Sequence, residues 1–253
     1  MKKQSKSIIA AAVLIGLLIP STMTACGFEN TGTGSLGWFF DVIVQLSAGM
    51  WASLELFFLT LIFSMPLGLL VCFMRRSRIK IVGIIATIYI SIMRGTPLML
   101  QLLVVYFGPY FLFKTPLSTE YRFYAAIIGF SLNYAAYFAE IYRSGIQSVP
   151  QGQYEAAKVL GYTHSQTFMK IIFPQMIRNI LPAVTNEIIT LVKDTSLAFA
   201  IAFVEMFTLA KQISAADSNI MPLFVAGLFY YIFNAVVSST MRIIENKLDY
   251  TKR

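Results

Sequence analysis

Charged and amide side chains recur at helical spacing inside stretches that are otherwise apolar. Arg94 and Gln101 lie seven residues apart and therefore share one helix face. Lys193 ends a second polar stripe, and Glu187 and Asp194 flank it. A charge in an apolar span costs roughly 3 kcal/mol, so such groups usually face one another or a water-filled path. These spacings predict either ion pairs between helices or a path for a polar solute.

A third apolar stretch carries Asn133, which shares a helix face with Tyr137 and Glu140. An amide in such a position can line a solute path or satisfy polar groups between helices, and the sequence leaves both roles open for Asn133 and Gln101. Glu205 lies near the outer end of a later apolar stretch. We expect its carboxylate at the membrane interface.

The chain lacks a residue set for catalysis or for metal binding. It contains one histidine, His164, and two cysteines, Cys26 and Cys72. These residues cannot form a disulfide framework or a zinc cluster on their own. No GxxxxGK[ST] phosphate-binding loop occurs in the sequence. We therefore expect no catalytic residue, no metal site and no cofactor in this chain, and any ATP hydrolysis must occur on another one.

The composition indicates that lipid covers most of the surface. The 253 residues are 57% hydrophobic and only 13% charged, whereas a soluble domain carries about 25% charged residues. A membrane span takes about 20 residues, so the length fits one domain of about five or six helices. The net charge of +8 is typical of membrane proteins with basic cytoplasmic loops, and we expect no nucleic-acid partner.

Five apolar stretches predict five membrane spans and an all-α, polytopic fold. They lie at about 49–73, 81–113, 124–142, 182–207 and 221–244. The second stretch is interrupted at Pro97, which removes one helical hydrogen bond and crowds the carbonyl of Met93, so we expect a kink there. When the spans are threaded from the outside inward, most Lys and Arg residues fall in the cytoplasm. The outer exceptions are Lys114, Arg122 and Lys211, a bias that predicts a cytoplasmic C-terminus.

Residues 1–26 have the plan of a signal-like or membrane-anchor segment. Lysines precede an apolar run from Ile8 to Ile19, and MTAC resembles a lipoprotein cleavage box ending at Cys26. Cleavage, lipidation and retention as a sixth span all stay open. Residues 27–46 are rich in Gly and Thr at their start and predict an external linker. The membrane domain then occupies 47–246, and 247–253 form a cytoplasmic tail.

The large cytoplasmic loop, at about 143–181, predicts two short helices joined at Gly161. Ser148 can cap the first helix, with Pro150 in its opening turn, and Gly161 can end it. The first helix is expected to place three residues on one face: Tyr154, Ala157 and Leu160.

The second short helix has a capping-box spacing at its start, with Thr163 followed three residues later by Gln166. Pro174 is expected to close it. Two capped helices meeting at a glycine form a compact hairpin. On a membrane domain without a soluble domain, such a hairpin favours docking onto a separate protein, although an interfacial amphipathic loop would have similar spacing.

The hairpin contains Glu155-Ala156-Ala157, then Gly161, then Ile171-Ile172-Phe173-Pro174. This pattern resembles the EAA signature of permease subunits of bacterial ATP-binding-cassette (ABC) importers, with Phe173 in place of the usual leucine. Three longer blocks resemble the polar-amino-acid branch of these permeases, which includes the histidine, glutamine, arginine and opine types. The blocks are Tyr89–Gly108, Ser131–Gly161 and Leu191–Ile201, and the segment before about Ser47 lies outside the resemblance.

The resemblance implies a type I importer transmembrane domain with five core helices in the bacterial cell membrane. In that family the hairpin inserts into a groove on the ATPase and transmits its closure to the spans. Coupling roles are thereby implied for Glu155, Ala156, Ala157 and Gly161, with Pro174 shaping the exit. The implied partners are ABC ATPase subunits, a second permease subunit of the same or a homologous chain, and an external solute-binding protein.

An amino acid carries an ammonium and a carboxylate, so its path needs both signs of charge. Arg94 or Lys193 can meet the carboxylate, and Glu187 or Asp194 the ammonium. The alternative is that these charges pair with one another for stability alone. In this family the external binding protein sets most of the selectivity, and the sequence leaves the particular amino acid open.

Two other classes of function fit the sequence less well than the importer subunit. An ion-coupled secondary carrier or channel would explain the charges in the spans, but it leaves the hairpin without a role, and no internal repeat supports it. A membrane enzyme would need a nucleophile, an acid–base pair or a metal set, and His164 alone does not supply one.

Overall fold

The computed structural model describes residues 35–248 of the chain, and within this range the structure is helical without strands. The signal-like segment 1–26, residues 27–34 of the predicted linker and residues 249–253 of the tail lie outside the described residues. The helices are α1 (Ser35–Arg75), α2 (Lys80–Gly95), α3 (Leu98–Phe113), α4 (Tyr121–Gln147), α5 (Gln151–Val159), α6 (His164–Thr167), a π-helical turn (Phe168–Ile172), α7 (Phe173–Asp194), a 3-10 segment (Thr195–Ile201), α8 (Met206–Ala216) and α9 (Met221–Leu248).

Five predicted spans correspond to α1, α2 with α3, α4, α7 and α9. Among the described residues, α1 and α9 are long and apolar enough to cross a membrane, and α2–α3 is a third span if the bent pair counts as one. α4 and α7 have 27 and 22 residues, about 40 and 33 Å at 1.5 Å per residue, but they carry more polar groups. α4 tolerates them because most of its side chains are buried against other helices.

α1 packs closely against α4 because small residues line their contact. A Cβ atom on Gly68 would lie 2.7 Å from Cβ of Phe138 and 2.9 Å from the carbonyl oxygen of Ala135. Thr60 and Ser64 are fully buried on the same part of α1. Small residues at such contacts let two backbones approach closely, which is how helices associate in lipid.

The first helix starts earlier than the sequence predicts. Residues 35–46, expected in the external linker, form the first turns of α1. The physical reason is an apolar face: Val42 and Leu46 are buried in a cluster with Met206 of α8 and Val225 of α9. The packing of α1 against α8 and α9 thus extends the helix beyond the predicted span.

The fourth predicted span is displaced toward the N-terminus. It was expected at 182–207, whereas α7 starts at Phe173 and ends at Asp194. Pro174 does not close the second short helix, because α6, the π-helical turn and α7 follow one another without a break. The N–H of Phe173 bonds to the carbonyl of Phe168, five residues back. This wider turn carries the helix past Pro174, which has no N–H to donate.

Candidate functional site

A cavity of about 200 Å³ lies between α2, α4 and α7. Arg94 of α2, Tyr137 of α4 and Glu187 of α7 all line it. The Arg94 guanidinium lies over the Tyr137 ring, 5.3 Å from its centroid, which is a cation–π geometry. The cavity therefore brings together one cation and one anion that the sequence placed 93 positions apart.

Glu140 also lines this cavity, but its carboxylate is already paired. Both ion pairs found within residues 35–248 converge on it, one from Arg75 and one from Arg143. The first joins the end of α1 to α4, and the second lies within α4. Glu187 forms no ion pair within the described residues, so its charge is the uncompensated carboxylate charge at this cavity.

The broken span is held by two side-chain amides. α2 and α3 are bent by 111° relative to each other, and Thr96 between them is extended, with φ −119° and ψ 149°. The predicted kink at Pro97 is confirmed and is a sharp break. Nε2 of Gln101 donates to the carbonyl of Met93 at 2.9 Å and to the carbonyl and hydroxyl oxygens of Thr96 at 3.1 and 2.8 Å.

Asn133 completes this arrangement, which we call the amide clamp (Met93, Thr96, Gln101 and Asn133). Its Nδ2 donates to the Met93 carbonyl at 3.1 Å and to Oε1 of Gln101 at 2.9 Å. The Met93 carbonyl is the group that the proline leaves without a helical partner. Gln101 and Asn133, both candidates for the solute path, thus bond to the backbone at the break and to each other.

The remaining two candidates lie at the far end of α7, where neither lines the cavity. Asp194 accepts a hydrogen bond from the Tyr134 hydroxyl at 2.7 Å. The Lys193 side chain is exposed, and its backbone carbonyl accepts from the Ser196 hydroxyl at 2.7 Å. Of the six candidates, the structure gathers Arg94 and Glu187 at the cavity.

The hairpin of α5 and α6 has the predicted joint. Gly161 has φ +76°, a left-handed conformation that glycine adopts without a steric penalty. The N–H of Tyr162 bonds to the Ala157 carbonyl at 3.0 Å, and the N–H of Gly161 to the Lys158 carbonyl at 3.1 Å. This pair of bonds is a Schellman motif that satisfies the last carbonyls of α5.

The capping box of α6 is confirmed, whereas the predicted cap of α5 is wrong. The N–H of Thr163 bonds to Oε1 of Gln166 at 2.9 Å, and the N–H of Gln166 to the Thr163 hydroxyl at 3.3 Å. Ser148 does not cap α5, because its backbone is helical and ends α4. Its hydroxyl donates to the Gly145 carbonyl and accepts from Asn179, each at 2.8 Å. Pro150 takes the N-cap position of α5 instead.

The tip of the hairpin exposes apolar side chains. The side chain of Val159 is 87% exposed and that of Leu160 is 72% exposed. The prediction that Leu160 lies on the same face as the buried Ala157 is therefore wrong. α5 ends at Val159, and the turn toward Gly161 rotates Leu160 outward. Glu155 and Ala156 are exposed as well, whereas Ala157 is fully buried. Val159 was missed by the sequence reasoning, although an apolar pair beside the glycine joint is a readable signal.

Glu205 is fully buried inside the protein, whereas the sequence predicted a carboxylate exposed at the membrane interface. Its carboxylate caps α8 by accepting from the N–H groups of Phe207 and Thr208 at 2.8 and 2.7 Å. It also accepts from the hydroxyls of Ser53 on α1 and Tyr230 on α9, at 3.2 and 2.9 Å. These donors satisfy a buried charge that would otherwise be costly. Its position just before an apolar helical stretch was the available signal for a cap.

Comparisons with known proteins agree with this architecture. Residues 64–250 match the family described as binding-protein-dependent transport system inner membrane component. The L-cystine transport system permease protein TcyB of Bacillus subtilis is 37% identical over 206 residues, covering 81% of this chain and 86% of that protein. The arginine transport system permease protein ArtQ of the same organism is 36% identical over 201 residues, covering 79% and 90%.

Solved structures show the same fold. A chain from the crystal structure of an amino acid ABC transporter with histidines has a TM-score of 0.75 and 31% identity, covering 87% of this chain and 100% of that one. A chain of the inward-facing MetNI methionine ABC transporter has a TM-score of 0.65 at 17% identity, covering 85% and 100%. At that identity the second match supports the fold alone.

Proposed function

This chain belongs to the family of binding-protein-dependent transport system inner membrane components, and on that premise we propose that it forms the translocation pathway of an ATP-driven amino-acid importer. It is a multi-pass membrane permease and a transport subunit rather than an enzyme. The ATP is hydrolysed on a separate ABC ATPase chain, and a second permease subunit, the same or homologous, supplies the other wall of the pathway. An external solute-binding protein delivers the amino acid.

The observation that carries the coupling is the continuity of the helix from the hairpin to the cavity. α6, the π-helical turn and α7 follow one another from His164 to Asp194 without interruption. Glu187, on the same helix, lines the cavity. A force applied to the hairpin by the ATPase is therefore transmitted along one helix to the cavity wall.

The hairpin tip is the surface that the ATPase contacts. Glu155, Ala156 and the Gly161 joint accompany the exposed Val159 and Leu160. Large exposed apolar residues next to polar ones are typical of protein–protein contacts. Ala157 is fully buried and packs the hairpin against the rest of the chain, whereas Pro174 is exposed and lies in the first turn of α7, where the hairpin continues into the span. Closure of the ATPase dimer draws two hairpins together and tilts the bundles.

The cavity offers one binding group for each charged end of an amino-acid solute. The Arg94 guanidinium can donate to the carboxylate, and the Glu187 carboxylate can accept from the ammonium, with Tyr137 holding Arg94 in place. Gln101 and Asn133 shape this wall through the amide clamp. Lys193 and Asp194 act at the outer end of the path, and the chain binds no cofactor of its own.

The test introduces a charge at the hairpin tip. Leu160→Asp and Gly161→Asp each place a carboxylate on the docking surface, so we expect loss of the ATPase that co-purifies with the tagged wild-type chain. Uptake of amino acid falls to background, because the pathway no longer receives the ATPase motion. Membrane insertion, measured by the amount of chain in washed membranes, stays unchanged.

Gly152→Asp is the matched control. A Cβ atom on Gly152 would meet no other atom within 4 Å, and the residue lies about 13 Å from Gly161 along the helix axis. It adds the same charge to the same hairpin about two turns before the exposed pair Val159 and Leu160, and we expect it to retain more ATPase than Leu160→Asp or Gly161→Asp. Undiminished ATPase binding and uptake in Leu160→Asp and Gly161→Asp would contradict the proposed coupling surface.

A further inference from the structure

The turn between α1 and α2 concentrates positive charge that the transport mechanism does not use. Residues 75–80 read RRSRIK, with four basic side chains and no acidic one. Arg75 is paired with Glu140. Arg76, Arg78 and Lys80 are exposed and form no ion pair within residues 35–248. Three uncompensated cations therefore lie in one short turn.

An open cavity of about 520 Å³ lies beside this turn. Its polar end is formed by Arg75, Ser77 and Lys80, and its other wall is a face of α2. That wall carries Ile84, Thr87 and Ile88. The two isoleucines are 57% and 53% exposed. The lining of the cavity therefore changes from cationic at the start of α2 to apolar two turns further along this helix.

This gradient matches a lipid that has a charged head and an apolar tail. A soluble anion would use the cations but leave the isoleucines in contact with water. A neutral lipid would use the isoleucines but leave the cations unpaired. Clusters of Lys and Arg at the cytoplasmic end of a span attract anionic lipids, at about 1 kcal/mol for each basic residue.

We propose that this cavity binds a phospholipid with an anionic headgroup from the inner leaflet. The phosphate lies against Lys80 and the Ser77 hydroxyl at the polar end of the cavity, and an acyl chain lies along Ile84 and Ile88 on α2. Arg78, exposed in the same turn, adds positive charge beside the cavity. The bound lipid neutralises the turn and covers the exposed face of α2 next to the broken span. This inference rests on the orientation predicted from the distribution of Lys and Arg, but not on the solute or the ATPase of the proposed function.

The test measures the lipid that stays bound to the protein after purification in detergent. The sample is the full-length chain together with any subunits that remain bound to it. Phosphatidylglycerol is the anionic probe and phosphatidylcholine the neutral one, and native mass spectrometry counts the bound lipids. The double variant R78Q/K80Q should weaken phosphatidylglycerol binding roughly 25-fold, since each basic residue contributes about fivefold. Retention of phosphatidylcholine should not change.

The matched control is R242Q/K247Q, which removes two exposed cations from the cytoplasmic end of α9. If the turn acted only through general attraction to an anionic surface, both double variants would lose lipid equally, and that result would overturn the proposal. Unchanged retention in R78Q/K80Q would overturn it as well.

Two further arms separate a lipid from a soluble anion. I84S/I88S keeps every charge but removes the apolar wall, and it should also lower phosphatidylglycerol retention. Glycerol phosphate, a headgroup without acyl chains, should not displace the lipid; displacement at equal concentration would identify a soluble-anion site instead. The orientation of the chain is measured separately by cysteine labelling. A wrong orientation would change the labelling pattern, whereas the absence of a lipid site would change only the lipid retention.

Discussion

Opposite charges at one cavity are the residue-scale basis of the proposed transport. Arg94 and Glu187 face the same space, and neither forms an ion pair within residues 35–248. Glu140 lines the space too, but Arg75 and Arg143 compensate its charge. The guanidinium of Arg94 and the carboxylate of Glu187 are therefore the groups proposed to release bound water and to bind the carboxylate and the ammonium of an amino acid.

Arg94→Gln is expected to lower the maximal rate of amino-acid uptake about tenfold or more. A hydrogen bond to a charged group contributes about 1.5–3 kcal/mol, and a factor of ten corresponds to 1.4 kcal/mol. The concentration for half-maximal uptake should change little, because the external binding protein sets it. The measurement is the initial rate of uptake at saturating binding protein.

Arg94→Lys keeps the charge and should retain part of the rate. ATPase co-purification should equal that of the wild type in both variants, since the hairpin tip is untouched. A normal maximal rate in Arg94→Gln at normal expression would remove Arg94 from the solute path.

At the scale of elements, the break between α2 and α3 shows how polar groups are satisfied within a span. A proline frees a carbonyl that lipid cannot hydrogen-bond, and amides from α3 and α4 bond to the Met93 carbonyl instead. Arg94 lies in the last turn of α2, directly beside this clamp. The direction of α2 near the cavity therefore depends on the amides of Gln101 and Asn133.

Gln101→Glu should loosen the break. The substitution keeps the shape of the side chain but removes the NH₂ group, whose two protons are shared among three acceptor oxygens. Each hydrogen bond lost costs about 1 kcal/mol. A carboxylate in its place repels the carbonyls of Met93 and Thr96. Spin labels at the exposed positions Ile85 and Phe111, one on each side of the break, should show a broader distance distribution.

Gln212→Glu is the matched control, because Gln212 is an exposed glutamine on α8 outside the amide clamp. It should leave the distance distribution between the two labels unchanged. An equally narrow distribution in Gln101→Glu and in the wild type would show that packing, rather than the clamp, holds the bend.

At the scale of the whole molecule, the arrangement of charge supports the orientation that the sequence predicts. The basic turn at 75–80, the hairpin and the end of α9 lie on one side of the five spans, and the loop at 114–120 lies on the other when the helices are threaded in order. An excess of Lys and Arg on one side is typical of the cytoplasmic face. The hairpin can then reach a cytoplasmic ATPase.

Cysteine labelling of intact cells tests this orientation. In a background with Cys26 and Cys72 replaced by serine, Thr119→Cys should react with a membrane-impermeant maleimide. Ser165→Cys on the hairpin and Lys247→Cys at the end of α9 should react only after the membrane is permeabilised. Reaction of Ser165→Cys in intact cells would place the hairpin outside and end the proposed coupling.

The sequence by itself determined features that depend on neighbouring residues. The break at Pro97, the left-handed joint at Gly161 and the capping box of Thr163 and Gln166 follow from backbone geometry within a few positions. The approximate places of the five spans follow from local hydropathy. Helix ends were less predictable, although Ser148 and Pro174 both have local cap signals. Ser148 ends α4 instead of starting α5, and a π-helical turn carries the helix on through Pro174.

Only the tertiary structure decided which polar side chains meet. Arg94 and Glu187 lie on different helices, and the Gln101–Asn133 contact and the burial of Glu205 likewise join separate elements. A helical pattern gives the face on which a residue lies but not the helix that packs against that face. Contacts between helices set which polar side chains are buried and which of them pair. The spacing of Gln101 and Asn133 in the sequence therefore fits a solute path and a clamp equally well, and only the packing of the helices distinguishes the two.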